Sequence, residues 1–189
     1  MNEGFIVDED DEGGSTVARN SLDRVATKYV GLYEVFRRSE KSGERAVRSA
    51  LQIYRSEGDP RLYFRAAYRS EHDNGVCAIE GLVLPNGTHM WFLGYDTGSG
   101  APYIYATLRM RGQKKFDLPG LMLRFTQSND LIGARLQARP VEGSWEDALK
   151  RVAFIGLDDV PADLHSSISN KITGTTFALT IASNSTAEG

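Results

Sequence analysis

Between Tyr29 and Arg139 the sequence repeats one short pattern, in which runs of aromatic and β-branched residues are separated by a few turn-forming residues. The clearest run alternates Leu62, Phe64, Ala66 and Tyr68 with mostly polar residues. Alternation with period two is typical of a β-strand that is buried on one face. Turns as short as 74–75 favour antiparallel neighbours, because parallel strands need long crossover connections.

The repeated pattern predicts a mainly β fold, an antiparallel up-and-down meander that forms a barrel or barrel-like sheet. In outline it would be similar to the calycin and lipocalin barrels. The predicted strands cover residues 29–37, 46–55, 62–69, 76–84, 88–95, 102–110, 121–127 and 131–139.

Beyond Pro140 the pattern favours short helices at the C-terminal end. One is expected between Ser144 and Val152 and another over 161–171, where Leu164, Ile168 and Ile172 recur every four residues. A last strand is expected over 175–182. We therefore divide the chain into a disordered acidic N-terminal tail (1–20), a single β-rich domain (21–182) and a flexible C-terminal tail (183–189).

Composition excludes several classes of function. The net charge of −3 makes direct binding to nucleic acid unlikely, because such binding needs a cationic surplus. The one cysteine, Cys77, cannot form an internal disulfide, which favours a reducing compartment. No apolar run is long enough for a membrane span. We expect a cytoplasmic protein that does not interact with membranes; the sequence leaves its oligomeric state open.

No catalytic or metal-binding constellation is apparent. The three histidines, His72, His89 and His165, are scattered and have no second ligand at metal-binding spacing. The glycine-rich loop over residues 94–100 lacks the Lys-Ser/Thr ending of a phosphate-binding loop. We predict no catalytic residue, no metal site and no cofactor.

The most informative cluster is aromatic. If strands 88–95 and 102–110 pair, one face could carry Trp91, Tyr95, Tyr103, Tyr105 and Arg109. Aromatic rings with polar tips and one arginine suit a ligand cavity inside a barrel. The opposite face, with Met90 and Phe92, is equally apolar, so the sequence leaves open which face is inside. A bulge at Gly94 would also change the grouping.

Two phrases resemble a known family. Residues 31–39 (GLYEVFRRS) and 47–53 (VRSALQI) are similar to phrases in the β-rich C-terminal sensory region of some bacterial Cro-repressor-like helix-turn-helix regulators. Residues 81–89 (GLVLPNGTH) match a third phrase loosely. The resemblance implies a regulatory or sensory β domain. It does not imply DNA binding, because the roughly 28 residues before the first strand cannot hold a helix-turn-helix domain.

Three hypotheses for function follow. The first is a non-enzymatic regulatory or sensory domain that binds a small molecule or a protein partner. The alternative is an enzyme that uses the same cavity on a small anionic substrate. The third is a structural protein-interaction module, which a filled interior and an exposed apolar patch would favour.

Overall fold

The computed structural model describes residue 23 and residues 28–71, 73–86, 89–108, 117–125 and 131–169; at 103–108, 124, 125, 131 and 132 it describes the backbone alone. Eight strands follow one another along the chain. They are β1 (Gly31–Arg38), β2 (Arg45–Tyr54), β3 (Leu62–Arg69), β4 (Val76–Asn86), β5 (His89–Asp96), β6 (Pro102–Leu108), β7 (Leu118–Phe125) and β8 (Leu131–Val141).

The strands form a closed antiparallel barrel. Each strand pairs with its neighbour in sequence, and β1 pairs with both β2 and β8. The first and last strands therefore meet, and the ring of pairings has no break. The predicted up-and-down barrel-like meander is confirmed.

Among the described residues, apolar side chains from alternate strand positions form a buried core inside the barrel. Phe64 on β3 and Phe92 on β5 meet edge to face, with their ring centroids 5.3 Å apart. Both rings are fully buried. Eight strands enclose an interior just wide enough for side chains or one small ligand. Other buried members of this core include Tyr33, Val35, Leu51, Ile53, Leu62, Ile79, Val83, Met90, Leu118, Met122 and Leu136.

Two glycines lie in the same row as Phe64. Phe64 pairs with Gly81 on β4, and Gly81 pairs with Gly94 on β5. A Cβ atom on Gly94 would lie 2.4 Å from the carbonyl oxygen of Glu80 and 2.8 Å from Cζ of Phe64. The β4–β5 register runs without interruption through Gly94, so this glycine provides space for a close approach and not for a bulge.

The C-terminal part of the described chain covers the outside of β1, β2 and β3. A ninth strand, β9 (Ala153–Gly156), pairs with the first half of β2, which at that end has separated from β3. The helix α1 (Trp145–Lys150) begins at Ser144, whose Oγ accepts a hydrogen bond from the amide of Asp147. This helix lies within the predicted range 144–152, whereas β9 was not predicted.

Two apolar clusters hold the C-terminal segment, residues 145–168, against the outside of the barrel. Ala148 and Val152 pack against Leu32, Ala50 and Ala67. Val160, Leu164 and Ile168 pack against Phe36 and Ala46 in the second cluster. For this reason most positions of β1 and β2 are buried on both faces.

The predicted helix over 161–171 takes a different form. The described part contains a 3-10 turn at Ala162–Leu164, followed by a turn through Ile168. Ser167 donates a side-chain hydrogen bond to the carbonyl of Leu164 over 2.8 Å, which is the local competition that disfavours an extended α-helix. The four-residue spacing still places Leu164 and Ile168 on one apolar cluster.

Several predictions concern residues outside the described ranges. They are the acidic tail 1–20, the strand 175–182, the tail 183–189 and the candidate ligand residue Arg109.

Candidate binding surface

Large apolar side chains are exposed on the outer face of β4 and β5. Trp91 is 40% exposed, Leu93 41% and Tyr95 51%, whereas Met90 and Phe92 between them are buried. Leu84 on β4 is 45% exposed and pairs directly with Trp91. These residues therefore form one continuous apolar area on the hairpin.

The same area continues toward β7. Trp91 pairs with Ala106 on β6, and Ala106 pairs with Leu121 on β7, whose side chain is 45% exposed. We call the surface formed by Leu84, Trp91, Leu93, Tyr95 and Leu121 the open face. In the ring of eight strands it lies opposite β1 and β2, the strands that the C-terminal segment covers.

The register of β5 and β6 corrects the predicted grouping of the candidate ligand residues on one face. Trp91 and Tyr95 are on the outer face and do not line the interior. Tyr105 pairs with Phe92, and Tyr103 pairs with Gly94, so these two positions share a face with the buried row and not with Trp91. Trp91 and Tyr95 therefore do not share a face with Tyr103 and Tyr105, and Arg109 lies outside the described residues; that any of the five binds a ligand stays a prediction.

The length of one turn explains the wrong grouping. Tyr95 pairs with Pro102, so residues 96–101 form the connection. With six residues between the paired Tyr95 and Pro102, each odd-numbered residue of β5 lies opposite an even-numbered residue of β6. The prediction had placed the odd-numbered residues of both strands on the same face. A change of one residue in register moves every side chain to the other face.

A buried charged cluster lies at one end of the barrel. Arg37 is 3% exposed, and its Nη1 atom lies 3.1 Å from Oε1 of Glu71 and 3.3 Å from Oε1 of Glu40. The Glu71 carboxylate also accepts hydrogen bonds from Oγ of Ser39 (2.7 Å) and from the backbone amides of Glu40 (2.9 Å) and Lys41 (3.0 Å). It thus joins the β1–β2 loop to the β3–β4 loop.

Opposing effects act on the pKa of Glu71. Burial raises the pKa of this carboxyl group, but the hydrogen bonds from Glu40, Ser39 and Lys41 and the charge of Arg37 outweigh burial and lower it below its ordinary value. The carboxylate is therefore charged at neutral pH. Sequence reasoning missed this cluster because Ser39 and Glu71 are 32 residues apart.

The cluster has one unsatisfied donor and a neighbouring groove. Within the described part of the chain, no acceptor bonds Nη2 of Arg37, although this atom is buried. A groove of about 430 Å³ opens beside Glu71, with Ser42, Arg45 and Phe154 in its walls. Arg45 lies over the ring of Phe154, 5.0 Å from its centroid. Because the carboxylates of Glu71 and Glu40 more than neutralise the charge of Arg37, we interpret the cluster as a structural link between two loops.

The described residues offer little for metal or covalent chemistry. Among them, no group of three or more histidine, cysteine, aspartate and glutamate side chains is arranged to hold a metal ion. The described part of the chain also contains no helix with the length and apolar character that crossing a membrane requires.

Comparisons with other proteins give no relative. No protein-family model, no curated protein and no solved structure matches this chain.

Proposed function

We propose that this protein is a non-catalytic, protein-binding β domain with a regulatory role, and that the open face is its binding surface. The observation that carries the proposal is the exposure of Trp91, Leu93 and Tyr95 side by side on a two-stranded outer face. Contiguous exposed apolar patches often mark interaction sites on soluble proteins. Tryptophan and tyrosine are also the residues that most often dominate binding energy at protein interfaces.

The buried core of the described residues favours a protein partner over a small molecule. Phe64 and Phe92 pack together with other apolar side chains on the inner face of β3 and β5. Small-molecule sites are usually concave and bury most of the ligand, whereas Trp91 and Tyr95 project from the outer surface of a barrel. The anionic-substrate alternative relied on Arg109, which lies outside the described residues.

The chemistry of the open face indicates what the partner presents. Its centre is aliphatic and aromatic, so the partner needs an apolar surface of matching size. Glu80, which pairs with Tyr95 in the β4–β5 register, is exposed at the margin. A cation on the partner would meet this carboxylate at the rim of the interface. The regulatory role rests on the resemblance of residues 31–39 and 47–53 to Cro-repressor-like regulators.

Site-specific crosslinking tests the proposal. In one variant a photoreactive phenylalanine analogue replaces Trp91. In the control variant it replaces Arg61, an exposed residue in the loop between β2 and β3. We expect a discrete crosslinked partner from position 91 and none from position 61. The partner is then purified, and its affinity is measured by calorimetry with the wild-type domain and with Leu93→Asp.

The affinity measurement decides the outcome. A hot-spot residue contributes about 2 kcal/mol or more, so Leu93→Asp should weaken binding roughly 30-fold. An affinity that Leu93→Asp leaves unchanged, or crosslinks from position 91 to this chain alone, would contradict binding of a partner by the open face.

A further inference from the structure

We infer that the groove between the β1–β2 loop, the β3–β4 loop and β9 binds a small molecule through a carboxylate or phosphate group. Arg45 and Lys41 hold the oxygens of that group. This site goes beyond the protein-binding role of the open face, and the groove shares no residue with that surface. Three observations support it: an arginine fixed in the wall, a second cation in the same groove, and a neighbouring carboxylate that is already engaged.

An aromatic ring supports the guanidinium group of Arg45 in the wall of the groove. Arg45 is the first residue of β2 and pairs with Gly156 of β9, and its guanidinium carbon lies 5.0 Å from the centroid of the Phe154 ring. Phe154 in turn packs against the buried core of the barrel, which holds the ring in place. An arginine that is already positioned loses less conformational freedom when it binds a ligand.

Arg45 and Lys41 are two cations of the groove that have no carboxylate partner. Within the described part of the chain, neither the Arg45 guanidinium nor the Lys41 ammonium group forms an ion pair. The Lys41 ammonium group donates a hydrogen bond to the backbone carbonyl of Glu71 over 2.8 Å. A carbonyl fixes the position of this ammonium group but does not neutralise it, so both positive charges remain available to a ligand.

The carboxylate of Glu71 lines the same groove but is already engaged. Its two oxygens accept hydrogen bonds from the side chains of Arg37 and Ser39 and from the backbone amides of Glu40 and Lys41. A carboxylate offers about four acceptor positions, and these four donors occupy them. Glu71 therefore does not take the place of an anionic ligand in the groove.

The groups that line the groove match an oxyanion. Arginine donates two parallel hydrogen bonds to a carboxylate or phosphate, and lysine adds a compact positive charge. The hydroxyl-bearing Ser42 lies in the same wall, and the volume of about 430 Å³ suits a small molecule. Asp73 lines the groove from the β3–β4 loop, so a second anionic group on the ligand is disfavoured there.

Titration of the full chain with two probes tests the inference. Acetate and inorganic phosphate are added separately at constant ionic strength, and the Nε–H signals of the arginine side chains are followed by NMR. We expect saturable binding of at least one probe at one site, with the signal of Arg45 among those that shift. The probe that binds more tightly identifies whether the recognised group is a carboxylate or a phosphate.

Three variants locate the site. Arg45→Gln should weaken binding about tenfold or more, because it removes the charged donor fork. Asp73→Asn should strengthen binding, because it removes a negative charge and keeps the oxygen that accepts from the Gly75 amide over 2.9 Å. Arg61→Gln is the matched control and should leave the affinity unchanged. Arg61 also lies over an aromatic ring, but it is paired with Asp59 and is outside the groove.

Two results would overturn the inference. One is the absence of saturable binding for both probes, and the other is an equal loss of affinity in Arg45→Gln and Arg61→Gln, because the anions would then respond to net charge alone. Circular dichroism establishes that each variant is folded, and the gain expected for Asp73→Asn cannot arise from unfolding. Crosslinking from position 91 tests the open face separately, so the two proposals can fail independently.

Discussion

At the scale of single residues, Gly94 is one of the closely packed positions in the barrel. Its position leaves no room for a methyl group, because the Glu80 carbonyl oxygen and the Phe64 ring would both lie within 3 Å of it. We expect Gly94→Ala to destabilise the fold by about 1–3 kcal/mol, the range for an overpacked core. Gly43→Ala is the control, because a Cβ atom there meets nothing within 4 Å. Urea melts measure both, and equal stabilities would show that the β4–β5 hairpin relaxes easily.

Phe64 is the large side chain that this space accommodates. It is fully buried, as the alternation in 62–69 predicts. We expect Phe64→Ala to cost about 3–5 kcal/mol in free energy of unfolding, because it leaves a cavity between β3 and β5. The neighbouring Arg65 faces outward and lies over Trp145, 4.5 Å from the ring centroid. Arg65→Ala should cost about 1 kcal/mol or less; comparable losses in the two variants would be inconsistent with this orientation of β3.

At the scale of elements, Glu71 joins the β1–β2 loop to the β3–β4 loop. Because its pKa is lower in the folded state than in the unfolded state, its contribution to stability is complete above the unfolded pKa of about 4.3 and is lost as pH falls below that value. We expect Glu71→Gln to cost about 3 kcal/mol at pH 7, since it leaves the buried charge of Arg37 with a weaker partner.

Melts between pH 7 and pH 3 test the role of Glu71. The wild-type protein should lose stability toward pH 3 more steeply than Glu71→Gln, so that the difference between them narrows. Ser42→Ala, a change in the same loop that leaves the carboxylate in place, is the control and should retain the wild-type pH dependence. A constant difference across this range would mean that Glu71 does not stabilise the loops through its charge.

The strands were predictable from sequence because their signal is local. Alternation at 62–69 and turns such as 74–75 identify β3 and its connection to β4 without any knowledge of the rest of the fold. The faces of β5 and β6 were not predictable, because the register depends on how many residues of 96–101 stay unpaired. That number is set by hydrogen bonds in the turn, such as those from the amides of Gly98 and Ser99 to the Asp96 side chain.

The packing of residues 145–168 on the outside of the barrel was harder to predict from the sequence. Ala153-Phe154-Ile155-Gly156 is too short for a periodic pattern, and it becomes β9 because β2 offers a free edge at Arg45–Arg48. Burial of Leu32 and Phe36 on the outside of β1 likewise depends on contacts with residues more than 100 positions away. The shared face predicted for Trp91, Tyr95, Tyr103 and Tyr105 was wrong for a related reason: a sheet with two apolar faces does not reveal which face the rest of the chain covers.

At the scale of the whole molecule, closure removes the edges that an open sheet would expose. β1 pairs with β2 on one side and β8 on the other, so neither end of the meander is left as an unpaired edge. Unpaired edge strands readily recruit other chains. Closure therefore keeps β1 and β8 from pairing in this way with a strand of another chain.

Hydrogen exchange tests the closure. In a closed barrel every backbone amide in the middle of β1 and β8 is bonded on one side or the other, so we expect these amides to exchange as slowly as those of β3 and β4, near the limit set by global unfolding. β9 is the internal control, because among the described strands it pairs with β2 alone, and its outward amides should exchange faster. Fast exchange at alternate positions of both β1 and β8, with β3 and β4 still protected, would show that the two strands separate in solution and that the barrel opens between them.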